Sequence, residues 1–185
     1  MLNRCSWCST DPMYQDYHDQ EWGRPVHEPH LLFEMLCLEG QQAGLSWLTV
    51  LKKRSAYRAH FFQYPIAHIA NLSDAELQKK SQDSALIRHL AKLTSIRDNA
   101  IAWQNMQSKG FEMQQWLWRF AEQSSQPVQP PEHPIPQYTQ ASMLMSKALK
   151  QHGFKFIGPT ICYAFMQAVG MVNDHEANCA FRYAN

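Results

Sequence analysis

Two candidate half-sites for a metal stand at opposite ends of this 185-residue chain, and they restrict its topology more than any other feature. Near the C-terminus, "HEANC" sets His175 and Cys179 four residues apart, which puts both on one face of a helix or tight turn. Near the N-terminus stand Cys5 and, within "YHDQEW", His18. Zinc takes four tetrahedral ligands from thiolates and neutral imidazoles, and a site filled by four protein groups has no open position for water. Two ligands from each end would close such a Cys2His2 site, clamp the termini together and serve the fold. Spacing leaves two matters open. A histidine and a cysteine four apart also occur as a buried core pair. Cys8 makes a C-x2-C pair with Cys5, itself a common zinc half-site.

Between these ends the hydrophobic pattern is helical. "HLLFEMLCLE" reads as a buried helix, and "LSWLTVLKKRSAYRAHFF" as one amphipathic helix with Leu45, Leu48, Leu51 and Tyr57 near one face. Ser73 to Glu76 forms a capping box opening "SDAELQKKSQ". "ALIRHLAKLTSIRDNAIAWQNMQ" carries apolar residues at helical spacing over about six turns, and "FEMQQWLWRFAEQ" is amphipathic. "SSQPVQPPEHPIPQY" holds five prolines and reads as an extended surface loop. "ASMLMSKALKQHG" ends at Gly153, and a last helix runs through "TICYAFMQAV". No segment alternates as a strand does, so the expected class is all-α, in a single domain over 1–185.

Other classes are excluded or left unsupported. No run of about eighteen apolar residues is present, and "MLNRCSWCST" has no apolar core of a signal peptide, so no membrane partner and a cytoplasmic location are expected. Five cysteines then suggest reduced thiols or metal ligands rather than a disulfide framework. A net charge of +1 neither demands nor excludes nucleic acid. The basic stretches "LKKRSAYR" and "SKALKQHGFKF" would each pass for a solvated helix face.

Two segments ask for a chemical reason. "ALKQHGFKFIGPTICYAF" is helix, short turn, helix, with Pro159 suited to the first helical turn. Free N–H groups at that helix start, beside Lys155, would suit an anion such as a DNA phosphate, although an ordinary αα-hairpin has the same outline. In "CLEGQQAGLSW", Glu39 sits in an apolar helix, where an ionised carboxylate without a partner costs several kcal/mol. It could be held at its own helix end by an arginine or a backbone N–H, and the six tryptophans could be plain core.

Taken together, "YHDQEWG", "LFEMLCLEGQQAGLSWLTVLKKR", "IRH", "SKALKQHGFKFIGPTICYAFMQAVGMVNDH" and the terminal cysteine resemble the DNA-3-methyladenine glycosylase I family, bacterial repair enzymes of the helix-hairpin-helix superfamily. The resemblance runs from about Cys5 to Cys179 and leaves out the Pro-rich loop near 126–137. It implies one structural zinc on Cys5, His18, His175 and Cys179, joining termini 1–25 and 170–185, with Cys8 a departure from the family. It implies a helix-hairpin-helix over 142–169 whose turn, Phe156–Thr160, grips phosphate with Lys155, Gly158 and Thr160, although the superfamily's usual G-x-G is missing. It implies that Glu39, ionised, reads the 6-amino group of an extruded base, that Tyr17 offers a hydroxyl to a ring nitrogen, and that Trp7, Trp47, Trp22 and Tyr14 form the walls. Gly44 and Leu45 would fill the gap left in the duplex. Asp174 is a candidate for catalysis or, preferably, for orienting His175.

The implied activity is hydrolytic excision of 3-methyladenine from double-stranded alkylated DNA by a monomer, leaving an abasic site without lyase action. Free 3-methyladenine would be the product ligand. The rival readings are a non-catalytic zinc-stapled DNA-binding module, which gives Glu39 no task, and a zinc hydrolase, which needs an open metal position.

Overall fold

The computed structural model describes residues 2–122 and 135–182, and every regular element among them is helical. Helix α1 (Pro12–Gln20) starts where the Asp11 carboxylate accepts the Met13 N–H, with Pro12 in the first turn. Helix α2 (Pro29–Gln41) starts under Glu28, whose carboxylate accepts from His30 and Leu31. From Leu32 to Gln41 every residue of α2 is buried, which makes it the axis of the molecule. Where an isolated amphipathic helix would hide one stripe, this one hides all sides and carries Glu34, Glu39 and Gln41 inward with it.

The stretch from Leu45 to Phe62 is not the one helix its periodicity suggests. It is split into α3 (Trp47–Leu51), α4 (Arg54–Tyr57) and a π-helical turn, Arg58–Phe62. The break at Lys52 and Lys53 lets their side chains reach separate partners, Asp11 and the Ser84 carbonyl. The widened turn brings Phe61 and Phe62, neighbours in sequence, into the core together. Short helices α5 (Ile66–Ala70) and α6 (Asp74–Lys80) follow, α6 opening on the expected Ser73/Glu76 capping box.

Helix α7 (Leu90–Ser108) starts five residues later than "ALIRHL" suggests, because the His89 ring caps it by accepting the Lys92 N–H. Helices α8 (Met113–Glu122), α9 (Gln140–Gln151) and α10 (Pro159–Ala168) complete the chain. Most of the expected Pro-rich loop lies outside the described residues. Gly153 ends α9 at φ +95°, a conformation that costs glycine nothing.

Helix α2 packs against α10, α7, α8 and α3, while α10 also lies along α9. The two ends of the chain meet. The Ala180 N–H donates to the Asn3 carbonyl at 2.9 Å, and the Ser6 N–H donates to Glu176 at 2.8 Å. No described helix is long and apolar enough to cross a membrane.

Candidate functional site

The meeting of the termini brings Cys5, His18, His175 and Cys179 together, all buried, with their donor atoms within 4.8 Å of one another. The Cys179 sulfur lies 3.5 Å from His18 Nε2 and 3.4 Å from His175 Nδ1, and the Cys5 sulfur 3.5 Å from His175 Nδ1. Metal–sulfur and metal–nitrogen bonds of zinc length set an S···N edge of about 3.5 Å in a tetrahedron. The donor set could therefore hold such an ion. Each ring's other nitrogen is occupied: His18 Nδ1 is 2.8 Å from Asp19, and His175 Nε2 is 3.3 Å from the Trp22 carbonyl. These bonds fix which nitrogen faces the centre. Cys8 stands outside the cluster, its sulfur turned to the carbonyls of Ser9 and Tyr14.

One wall of this cluster is also a wall of a cavity of about 170 Å³. Trp7 lies 5.1 Å from the His18 ring and 4.9 Å from Trp22, and Trp22 lies 4.7 Å from the His175 ring. Trp7 and Trp22 line the cavity together with Tyr14, Tyr17, Trp47, Glu39 and Gln42. α1 contributes Tyr14 and Tyr17, α2 contributes Glu39 from its last turn, and α3 contributes Trp47 at its first residue. Tyr17 stands 5.5 Å from Trp47, ring to ring.

Two buried polar atoms on this lining have no hydrogen-bond partner: Oε2 of Glu39 and Nε1 of Trp47. Buried polar groups are almost always paired, so an unpaired acceptor and an unpaired donor on one cavity are placed to meet a ligand. No ion pair among the described residues involves Glu39, which answers the idea that an arginine holds it. Burial pushes the Glu39 carboxyl up to about 8. Burial therefore works against the ionised state expected from sequence. Burial likewise raises the Tyr17 phenol well above 10, so it remains a hydroxyl.

A family model for methyladenine glycosylases matches residues 7–183. The chain belongs to that family. It is 48% identical over 179 residues to DNA-3-methyladenine glycosylase 1 of Escherichia coli, covering 96% of each chain. It is 46% identical over 182 residues to the DNA-3-methyladenine glycosylase of Haemophilus influenzae, covering 97% of each. A crystal structure of 3-methyladenine DNA glycosylase I superposes with a TM-score of 0.92 at 48% identity, covering 96% of this chain and 98% of that one. A Staphylococcus aureus 3-methyladenine DNA glycosylase I, solved to establish the basis of 3-methyladenine recognition, superposes with a TM-score of 0.89 at 32% identity, covering 98% and 97%.

In this member of the methyladenine glycosylase family the other candidate residues lie on two exposed segments. Gly44 (φ +76°) and Leu45 (40% exposed) form the loop between α2 and α3. Lys155 is exposed in the turn before α10, Gly158 caps that helix, and Thr160 is exposed in its first turn. Phe156 holds φ +53° in the turn, doing what a glycine would do there at less cost. Gly40 of α2 makes room for it: a Cβ there would stand 3.0 Å from the Phe156 carbonyl oxygen.

Asp174 does not orient His175. Its carboxylate accepts from the Tyr163 hydroxyl at 2.5 Å and the Gln167 amide at 2.8 Å, and the His175 ring turns to Trp22 instead. Sequence reasoning missed Gln42, Ile135, Ala164 and Gln167 as cavity residues. Ala164 and Gln167 are three apart on α10, so a helical wheel of that helix carried the signal.

Proposed function

We propose that this chain is a DNA-3-methyladenine glycosylase that extrudes the damaged nucleotide from double-stranded DNA and hydrolyses its N-glycosidic bond. The observation that carries this reading is the orphaned Glu39 oxygen in a cavity walled by aromatic rings. Its relatives bear the name of that activity. A 3-methylated adenine in DNA is cationic. Aromatic faces attract cations, and a cation beside Glu39 favours the carboxylate over the carboxylic acid, offsetting what burial does to it. The carboxylate then accepts a hydrogen bond from the 6-amino group, while the Tyr17 hydroxyl serves a ring nitrogen and Trp7, Trp47, Trp22 and Tyr14 enclose the ring.

The positive charge lets the base leave C1′ as a neutral molecule, so the enzyme has little general-acid work. Extrusion, selection and stabilisation of an oxocarbenium-like sugar remain. Water takes the place of the base, and the strand is left abasic and uncut. The hairpin over 142–169 grips the backbone through Lys155, Gly158 and Thr160, and Gly44 and Leu45 enter the vacated space. A zinc ion on Cys5, His18, His175 and Cys179 holds the termini and supports the wall formed by Trp7 and Trp22. The whole acts as one domain, monomeric and cytoplasmic.

The test is incubation of the metal-loaded protein with duplex DNA treated with a methylating agent. Release of 3-methyladenine with alkali-labile but unbroken strands is expected. Binding to DNA without base release would replace this reading with that of a DNA-binding module, and strand breakage without alkali would overturn its hydrolytic form.

A further inference from the structure

Lys92 and Asn99, two of the three polar residues buried on α7, line neither the cavity nor the cysteine–histidine cluster. Lys92 is 6% exposed and Asn99 is 2% exposed. They stand seven residues apart, which is about 10 Å and two turns along one helix face. The Lys92 ammonium donates to the Gln41 carbonyl at 2.9 Å and the Ala43 carbonyl at 2.6 Å. No ion pair among the described residues gives it a carboxylate. Burying an ammonium against carbonyls alone is costly, and a methionine would fill the same space with no such cost. What the lysine adds is a tether: it satisfies the negative C-terminal end of α2 and fastens the first residue of the exposed loop Ala43–Ser46. Gln41 returns the contact, its amide donating to the Lys92 carbonyl at 3.0 Å while its oxygen accepts from Tyr57.

Asn99 does the same for the other exposed segment. Its amide oxygen accepts the Lys155 N–H at 2.7 Å, and its amide nitrogen donates to the Lys155 carbonyl at 3.3 Å. Both backbone groups of Lys155 are thus held by one side chain, immediately before Phe156 with its left-handed backbone. A strained turn persists only where its surroundings over-determine it.

We propose that Lys92 and Asn99 are positioning residues that set, from one rigid helix, the spacing between the loop Ala43–Ser46 and the hairpin turn at Lys155–Gly158. This rests on the reading above, in which one segment fills the gap in the duplex and the other holds its backbone. A base is extruded only if both act on the same stretch of DNA at once. Their separation is then part of the machinery, although neither Lys92 nor Asn99 touches substrate.

The experiment compares wild type, Lys92→Met, Asn99→Leu and the double variant, all full-length and metal-loaded. Three quantities are measured: affinity for free 3-methyladenine, affinity for a duplex bearing a tetrahydrofuran abasic analogue, and single-turnover base release from methylated duplex. Free-base affinity is expected to stay within about twofold of wild type in every variant, because neither side chain lines the cavity. Base release is expected to fall about tenfold in each single variant, and no further than the worse single variant in the double, since one lost tether already frees the spacing. A parallel loss of free-base affinity would overturn the proposal in favour of general support of the cavity. Unchanged base release, or losses that multiply in the double variant, would overturn it as well. Should a variant not fold, Lys92→Gln and Asn99→Asp each keep part of the tether and undergo the same measurements. Absence of base release in wild type would instead overturn the glycosylase reading itself.

Discussion

The cysteine–histidine cluster and the aromatic cavity share a wall, yet their polar atoms are treated in opposite ways. In the cluster the ring nitrogens and sulfurs face one another at 3.4–3.5 Å, and each imidazole's remaining nitrogen has its own partner. In the cavity a carboxyl oxygen and an indole N–H face no one. Both arrangements bury polar groups, and burial exacts a cost in each. The closed one offsets that cost within the fold. The open one leaves it standing until a ligand arrives, which distinguishes a group retained for folding from one retained for binding.

The largest effect should come from breaking the closed side. Cys179→Ser is expected to lose the metal and destabilise the protein by several kcal/mol, because binding energy at such a site is folding energy. Metal analysis and thermal unfolding measure this. A variant with full metal content and wild-type stability would remove Cys179 from the cluster.

Glu39→Gln tests the open side, where stability and function should move in opposite directions. Burial pushes the carboxyl from an ordinary value of 4.5 up to about 8 in the folded protein. The folded state thus disfavours the charged form. Its cost is absent below pH 4.5, grows as pH rises through the interval, and is complete above 8. Relative to wild type, the glutamine variant should unfold at the same denaturant concentration near pH 4 and be more stable by a few kcal/mol above pH 8. Its affinity for 3-methyladenine should fall by about 1.5–3 kcal/mol, because a charge-assisted acceptor is replaced and a donor is set against the amino group. Equal pH dependence of stability in the two proteins would show that Glu39 is not the buried titrating group. Unchanged affinity would remove it from base recognition.

The smallest effect belongs to Cys8. Cys8→Ser should keep stoichiometric metal and shift stability by no more than about 0.5 kcal/mol, as expected for a side chain outside both regions. Loss of metal in this variant would redraw the cluster around Cys8.

Much of this was legible in the sequence because its causes are local or compositional. The capping box at Ser73, the stop at Gly153 and the start at Pro159 are written in a few adjacent residues. Two candidate ligand pairs pointed to chain ends that meet, and in the structure the four side chains lie together. What could not be read depends on partners far away in the chain. The helix breaks at Lys52 and Lys53 although its periodicity is intact, and their side chains go to Asp11 and the Ser84 carbonyl, partners far away in the chain. Asp174 beside His175 suggested a contact that the fold gives instead to the Trp22 carbonyl, 153 residues away. Lys92 and Asn99 look like the solvated positions of an ordinary helix until their carbonyl and amide partners from α2 and the hairpin arrive. Nor does a sequence carry the dielectric around Glu39, which decides whether its proton stays.

The joined termini also bear on how the chain reaches its fold. A bond between His18 and His175 through a common ion would close almost the entire polypeptide into a ring. Loop-closure entropy grows only with the logarithm of length, so bringing ends this distant together costs about 5 kcal/mol. The helices between them must shorten that search before a cation can hold both halves of its site. The metal would therefore be a late arrival in folding: a latch that shuts on a chain already arranged, then slows its opening by keeping the two ends from parting.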